Sequence, residues 1–305
     1  MKDRIICRVL TGPTASGKTE LSLRIAEKYH FEICCMDSMQ IYRGMDIGTA
    51  KPTAEERRRV RHHLVDICDP RESFSVAAYR EAAEELVREK AREGTELLFV
   101  GGTGLYLQAM MHPMSMGNVP ADEELRAELH RIADLPGGKE ELHRRLEGED
   151  PDTAARLPLN DVRRTIRAIE VSEITGIPFS KQPNREEESE FEWRAAVISM
   201  PRDVLYERIN LRVEKMMEQG LAGEVKNLLA SGVPRDAQSM QALGYKETVL
   251  YLDGRAAYGQ TVEDIQKGTR HYAKRQETFF RREKELRYLD GLADDAMEQA
   301  EKILI

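Results

Sequence analysis

Apolar and polar positions alternate along this chain in two distinct rhythms. Ile5, Ile6, Cys7, Val9 and Leu10 form a short, nearly unbroken apolar run of the kind a strand covered on both faces requires, and a helix is predicted from near Lys18 to about Lys28. Glu32 to Met36 reads as a second buried strand and Ser75 to Arg92 as an amphipathic helix. Glu96 to Val100 is another apolar strand, running into Gly101-Gly102-Thr103-Gly104 and a short helix through Met111. Strands separated by helices at this spacing predict a parallel sheet flanked by helices, an α/β fold, and the G-x-x-x-x-G-K-[ST] run at Gly12 to Thr19 after the first strand makes it P-loop NTPase-like. From about Gly117 to Glu190 the rhythm gives way to short, charge-rich helical segments broken by Pro120, Pro136, Pro151 and Pro158, with a very acidic stretch from Glu186 to Glu192. This predicts a helical insertion over 117–190 within a core made of 1–116 and 191–305. Beyond it a strand is expected over Ala195 to Met200, then helices over Arg202 to Gln219, Leu221 to Ser231 and Thr261 to Leu286.

Ligands of such a sheet lie beyond the carboxyl ends of its strands. Three segments belong there: 12–19 after the first strand, Asp37-Ser38-Met39-Gln40 after the second, and Gly101 to Gly104 after a later one. The first, Gly12-Pro13-Thr14-Ala15-Ser16-Gly17-Lys18-Thr19, satisfies G-x-x-x-x-G-K-[ST] in the strand-then-helix context that the phosphate loop requires. Its glycines let successive amides converge on a phosphate at a helix N-terminus, Lys18 reaches the terminal phosphate, and the Thr19 hydroxyl ligates Mg²⁺. The loop alone leaves ATP, GTP and other diphosphates open.

Composition narrows the class. The chain has 305 residues, 41% hydrophobic and 33% charged, long enough for a large core and without an apolar stretch near the ~20 residues of a membrane span. No signal-peptide pattern precedes the first strand, so a cytoplasmic location is expected. Cys7, Cys34, Cys35 and Cys68 show no metal-ligand spacing and read as buried reduced thiols. The net charge of −8 is unevenly spread: Lys267 to Arg287 holds eight basic residues against three acidic ones, and Ala121 to Asp150 ten acidic against five basic. A locally basic surface can track phosphates on an acidic protein, because screening confines the field to ~8–10 Å; the same run also reads as a solvated helix face.

The stretch DSMQIYRGMDIGTAKP over Asp37 to Pro52, with GPTASGKT, GGTGLY from Gly101, NDVRR from Asn160, QALGYK from Gln241 and KRQETFFR from Lys274, resembles the tRNA dimethylallyltransferases over nearly the whole chain. That resemblance implies transfer of a dimethylallyl group from dimethylallyl diphosphate to N6 of the adenosine 3′-adjacent to the anticodon of tRNA, with Mg²⁺ as the metal and a monomer expected. The phosphate loop then holds the diphosphate of the prenyl donor. By the same resemblance Asp37 is the general base, Arg212 a diphosphate contact and Thr103 a contact to the target nucleotide. The tRNA-binding set becomes Asp37, Ser38, Met39, Gln40, Thr103, Arg126, Asn160, Asp161, Val162, Arg163, Arg164, Gln241, Gly244, Tyr245, Lys246, Lys274, Arg275, Gln276 and Arg281. Arg167 falls on the same predicted helix as Arg163 and Arg164, and Asn160 and Asp161 resemble its cap.

Alternatives stay open at several points. Asp37 also fits a turn cap or a holder of metal-bound water, and Arg208, one turn before Arg212, is an equal candidate for the diphosphate. Phe279 and Phe280 read as core-facing; the family often carries a tryptophan nearby, and this chain does not. Competing activities are prenyl transfer to free AMP, ADP or ATP, a small-molecule or nucleoside kinase, and a nucleotide-dependent switch.

Overall fold

The computed structural model describes residues 4–112, 119–183 and 190–305. The chain divides into two compact units, Met1–Met111 with Ser189–Ile305, and His112–Glu188. The predicted boundary at Gly117 and Glu186 to Glu188 of the acidic stretch lie outside the described residues.

In the main unit the strands are β1 (Ile5–Thr11), β2 (Glu32–Cys35), β3 (His62–His63), β4 (Leu97–Gly101), β5 (Phe191–Ser199) and β6 (Leu286–Asp290). They form one parallel sheet in the order β3-β2-β4-β1-β5-β6. Its helices are α1 (Lys18–Tyr29), α2 (Ala54–Arg59), α3 (Val76–Glu93) and α4 (Gly104–Met111) before the helical unit. That unit contributes α5 (Glu123–Ala133), α6 (Gly138–Glu149), α7 (Pro151–Ala154) and α8 (Val162–Thr175). The main unit resumes with α9 (Arg202–Glu218), α10 (Leu221–Ala230), α11 (Tyr245–Leu252), α12 (Tyr258–Phe280) and α13 (Ala296–Leu304).

Successive strand residues point to opposite faces, and both faces are buried, which is why the strands read as apolar runs. Cys7, Val9, Cys34, Phe99 and Val197 pack on one side with Tyr79, Tyr106 and Phe280. Leu10, Ile33, Leu98 and Ile198 pack on the other with Leu23, Ile25 and Leu304. All four cysteines are free and buried. Phe280 is buried, and Phe279 packs partly buried against the same cluster. A further cluster sets Ile41, Tyr42 and Met45 against Leu221, Val225 and Tyr245, so the segment after Asp37 rests on α10 and α11.

Three expectations are corrected. The helix predicted over 261–286 begins at Tyr258 and stops at Phe280, and Leu286 opens β6, paired with Ala195. The charged segment 281–287 favours helix locally, but pairing with β5 overrides that preference. The basic run is therefore not one helix face, and Arg287 stands on an edge strand. Second, β5 starts at Phe191, four residues before the predicted Ala195, because Phe191, Glu192 and Trp193 pair with Ile5, Ile6 and Cys7. Third, the two-residue β3 had no periodic signal.

The helical unit is built on Leu129, Leu142, Leu146, Ile166 and Ile169. Helices α5, α7 and α8 are capped at their starts by Asp122, Asp150 and Asp161, whose side chains accept backbone amides of the first turn.

Candidate active site

The loop between β1 and α1 takes its shape from three positive φ angles, at Gly12 (155°), Ala15 (64°) and Gly17 (90°). Only Gly12 and Gly17 adopt such angles without a Cβ penalty. Ala15 is held by packing against Met200, Leu205, Ile209 and Ala273 of the surrounding elements. Lys18 folds back over the loop, donating to the carbonyls of Gly12 (2.9 Å) and Pro13 (2.7 Å). Burial pushes its ammonium down to about 7, the neighbouring Arg212 adds to that, and Asp37 opposes it. Arg212, on α9, reaches the Thr14 hydroxyl at 3.4 Å and is itself lowered by burial. Arg208, one turn earlier, faces Gly17. The Ser16 hydroxyl is buried with no hydrogen-bond partner among the described residues. Converging cations, a helix N-terminus and an orphaned hydroxyl make this loop a cradle for a polyanion. It opens on a cavity of about 1100 Å³ lined also by Arg208, Leu211, Arg212 and Met216.

At the end of β2, Asp37 accepts the amides of Met39 (2.9 Å) and Gln40 (3.4 Å) through Oδ1. Burial raises its carboxyl above the ordinary aspartate range, against those two amides and Lys18. It shares with Lys18, Thr19 and Gln40 a smaller cavity of about 60 Å³. At the end of β4, the Thr103 hydroxyl accepts from the Ser38 amide (3.0 Å) and meets the Ser38 hydroxyl at 3.4 Å. The two loops approach so closely that a Cβ on Gly101 would overlap the Met36 carbonyl. The three strand-end segments picked out by sequence thus form one site.

The segment after Asp37 is fixed by buried and half-buried polar anchors whose partners the motifs did not reveal. Gln40 donates to the carbonyls of Thr49 and Ala50. Lys51 donates to the Tyr42 carbonyl, Asp46 and Asp66, each at 2.7 Å. Glu224 accepts the amides of Asp46, Ile47 and Gly48 and the Tyr245 hydroxyl. Tyr245 is fully buried in that role. Gly244 donates its amide to Glu247, while Gln241 and Lys246 are exposed.

Lys274 and Arg275 on α12 and Arg281 just past its end are exposed, whereas Gln276 is buried. Sequence reasoning missed Tyr272. Burial raises its phenol strongly, Asp37 adds to that, and Thr103 opposes it. The signal was its 3–4 spacing with Gln276 and Phe279, the face of α12 turned to the site.

Within the helical unit, Asn160, Arg163 and Arg164 are exposed at the start of α8, Asp161 caps it, and Val162 opens it half-buried. Arg126 and Arg167 instead converge on Glu170, Arg126 at 2.8 Å and Arg167 at 2.5 Å. Burial would raise the Glu170 carboxyl, but Arg167 and Arg126 outweigh it and hold it below the usual range.

The IPP transferase family model matches residues 40–283, which take in the Gly101–Gly104 turn and α12. The chain belongs to the IPP transferase family. A tRNA dimethylallyltransferase of Halalkalibacterium halodurans is 44% identical over 95% of this chain and 92% of its own length, and one of Thermotoga petrophila 43% over 97% and 95%. The crystal structure of a tRNA isopentenylpyrophosphate transferase from Bacillus halodurans superposes with a TM-score of 0.71 at 42% identity, covering 98% of this chain and 96% of that one. A eukaryotic dimethylallyltransferase acting on tRNA shares the fold, with a TM-score of 0.78 at 24% identity over 94% of this chain and 74% of that one. Among the described residues no helix is long and apolar enough to cross a membrane, and no group of three His, Cys, Asp or Glu side chains could hold a metal.

Proposed function

We propose that this IPP transferase is a tRNA dimethylallyltransferase, moving the dimethylallyl group of dimethylallyl diphosphate to N6 of the adenosine 3′-adjacent to the anticodon and releasing diphosphate. The observation that carries this reading is the placement of Asp37 in one small cavity with Lys18 and Thr19 of the loop, with Arg212 reaching Thr14 of the same loop.

The adenine amine is a weak nucleophile because its lone pair is delocalised into the ring. As N6 bonds to the allylic carbon, Asp37 takes the amine proton, and its raised pKa brings it closer to the proton it must accept. The C–O bond breaks with both electrons going to the departing diphosphate. Charge grows on those oxygens, so Lys18 and Arg212 act on the transition state more than on the bound substrate. The residues present fit Mg²⁺, since a single hydroxyl, Thr19, beside Asp37 suits a hard cation that keeps most of its shell in substrate oxygens and water. When bound, Mg²⁺ supplies further neutralisation of the leaving group. Thr103 and Ser38 orient the target nucleotide, which must leave the anticodon-loop stack at a cost of a few kcal/mol to reach them. The exposed Arg163 and Arg164, the α12 cations Lys274 and Arg275, and Arg281 just past that helix supply phosphate contacts. A monomer in the cytoplasm completes the proposal.

Labelled dimethylallyl diphosphate incubated in parallel with unmodified tRNA, AMP and ATP tests it. Label is expected in tRNA alone, dependent on Mg²⁺ and without ATP turnover. Label in a free nucleotide, or ATP consumption, would overturn the assignment.

A further inference from the structure

Gln276 carries one carboxamide and uses both ends of it on backbone. Its Oε1 accepts the amide of Thr14 at 2.9 Å, and its Nε2 donates to the carbonyl of Gly102 at 2.8 Å. The side chain belongs to a residue only 5% exposed, between the exposed Lys274 and Arg275 on one side and the core residue Phe280 on the other. The two bonded loops hold the two halves of the site, the anion cradle after β1 and the Gly101–Gly104 turn that presents Thr103. Just before them, β1 and β4 pair in parallel as far as Thr11 and Gly101, and the Thr11 hydroxyl donates to the Gly101 carbonyl at 2.7 Å. Ala273, one turn before, packs with Ala15 of the cradle, and the Phe279 ring lies against Gly104, so α12 is pressed on both loops at once. A Cβ at Gly102 would lie 2.3 Å from Gln276 Nε2, so the carboxamide would have to leave its place to admit one.

We propose that Gln276 is a positioning residue for the transfer reaction, acting as a gauge between the diphosphate cradle and the acceptor floor, and is not an RNA contact. Only a planar group with one donor and one acceptor answers an N–H and a C=O together; glutamate lacks the donor and methionine lacks both. The same geometry means that the Thr14 amide is turned to Gln276 and does not serve the anion, which leaves the Thr14 hydroxyl with Arg212. Reacting atoms held an ångström out of place can slow a reaction by about 10²-fold. The kinetic part of the proposal rests on the transferase reading above; the gauge itself does not.

The test uses the full chain with Gln276→Met, Gln276→Glu and Gly102→Ala, which attack one contact from both sides. For Gln276→Met, kcat is expected to fall about 10²-fold while the Kd for unmodified tRNA, measured by anisotropy, stays within about twofold and keeps its salt dependence. Gln276→Glu, which keeps the Thr14 acceptor, should lose less. Gly102→Ala should resemble Gln276→Met, and the double variant should be little worse than either alone, because one contact cannot be lost twice. Independently of any activity, hydrogen exchange should quicken in peptides spanning 12–17 in Gln276→Met and not in β5. Weakened tRNA binding with an intact kcat, independent additive losses, or unchanged exchange in 12–17 each sinks the proposal. If the wild type transfers no prenyl group but the exchange pattern appears, the transferase reading fails and the gauge stands.

Discussion

Lys18 and Arg212 in the main unit and Arg126 and Arg167 in the helical unit are all cations drawn partly out of water, yet the chain treats them differently. Arg126 and Arg167 are given their own anion: the buried Glu170 takes both, along with the Asp122 amide. Lys18 and Arg212 form no ion pair among the described residues, and each is pulled down by burial, Lys18 further so by Arg212. A cation satisfied within the fold stabilises it. One left without a counter-charge holds a field in reserve for a ligand that brings the charge with it. Family resemblance placed Arg126 and Arg212 alike in functional sets; the structure separates them by what each already touches.

The largest break in this comparison comes from Asp37, the acid that tempers Lys18 without pairing with it. Asp37→Ala should lower turnover by ~10²–10⁴-fold while tRNA affinity stays within a few-fold; single-turnover transfer and filter binding measure the two, and near-normal turnover would return Asp37 to the role of turn cap. Next is Glu170→Gln, which leaves two arginines facing a neutral group. It should destabilise the helical unit by ~1–3 kcal/mol, discounted for the partial exposure of both arginines, and appear as a lower thermal midpoint. The corresponding loss in the main unit has the opposite sign for stability. Burial brings the Lys18 ammonium of the ligand-free protein down to about 7, whereas in the unfolded chain the same lysine keeps its ordinary value of 10.5. The unfolded state therefore binds more protons between those values, and the stability of the ligand-free protein should rise with pH across that window.

Ligand binding sharpens the same point. A bound polyanion restores the Lys18 proton, so inorganic pyrophosphate should bind with proton uptake above about pH 7, losing up to about tenfold in affinity per pH unit. Calorimetry in buffers of different ionisation enthalpy reads this directly, and Lys18→Met should abolish the linkage. Smallest is the surface effect: neutralising Lys274 or Arg281 should reduce the slope of log affinity for tRNA against log salt by about one. An unchanged slope would make those exposed charges solvated helix surface.

Much of this site was legible before any coordinates. The phosphate loop, Asp37 and the Gly101–Gly104 turn stand directly after apolar strands, and a parallel sheet puts every such turn on one edge. The Asp161 cap and the inward Phe280 were legible for the same local reason. Less visible were Lys51, Glu224 and Gln276, each a polar residue whose partner lies elsewhere in the chain. The charge-rich stretch after Phe280 resembled a continuing helix until its pairing with β5 made Leu286 a strand residue.

By itself the sequence determined the α/β layering, the strand-end location of the chemistry and the polyanion loop, because these follow from periodicity and from glycine and lysine at fixed short spacings. Tertiary structure alone decided which cations keep a field for a ligand, that Tyr245 is a buried anchor, and that Gln276 faces two loops 262 and 174 residues away. Desolvation and hydrogen-bond pairing depend on every element that closes around a group, and no window along the chain contains them.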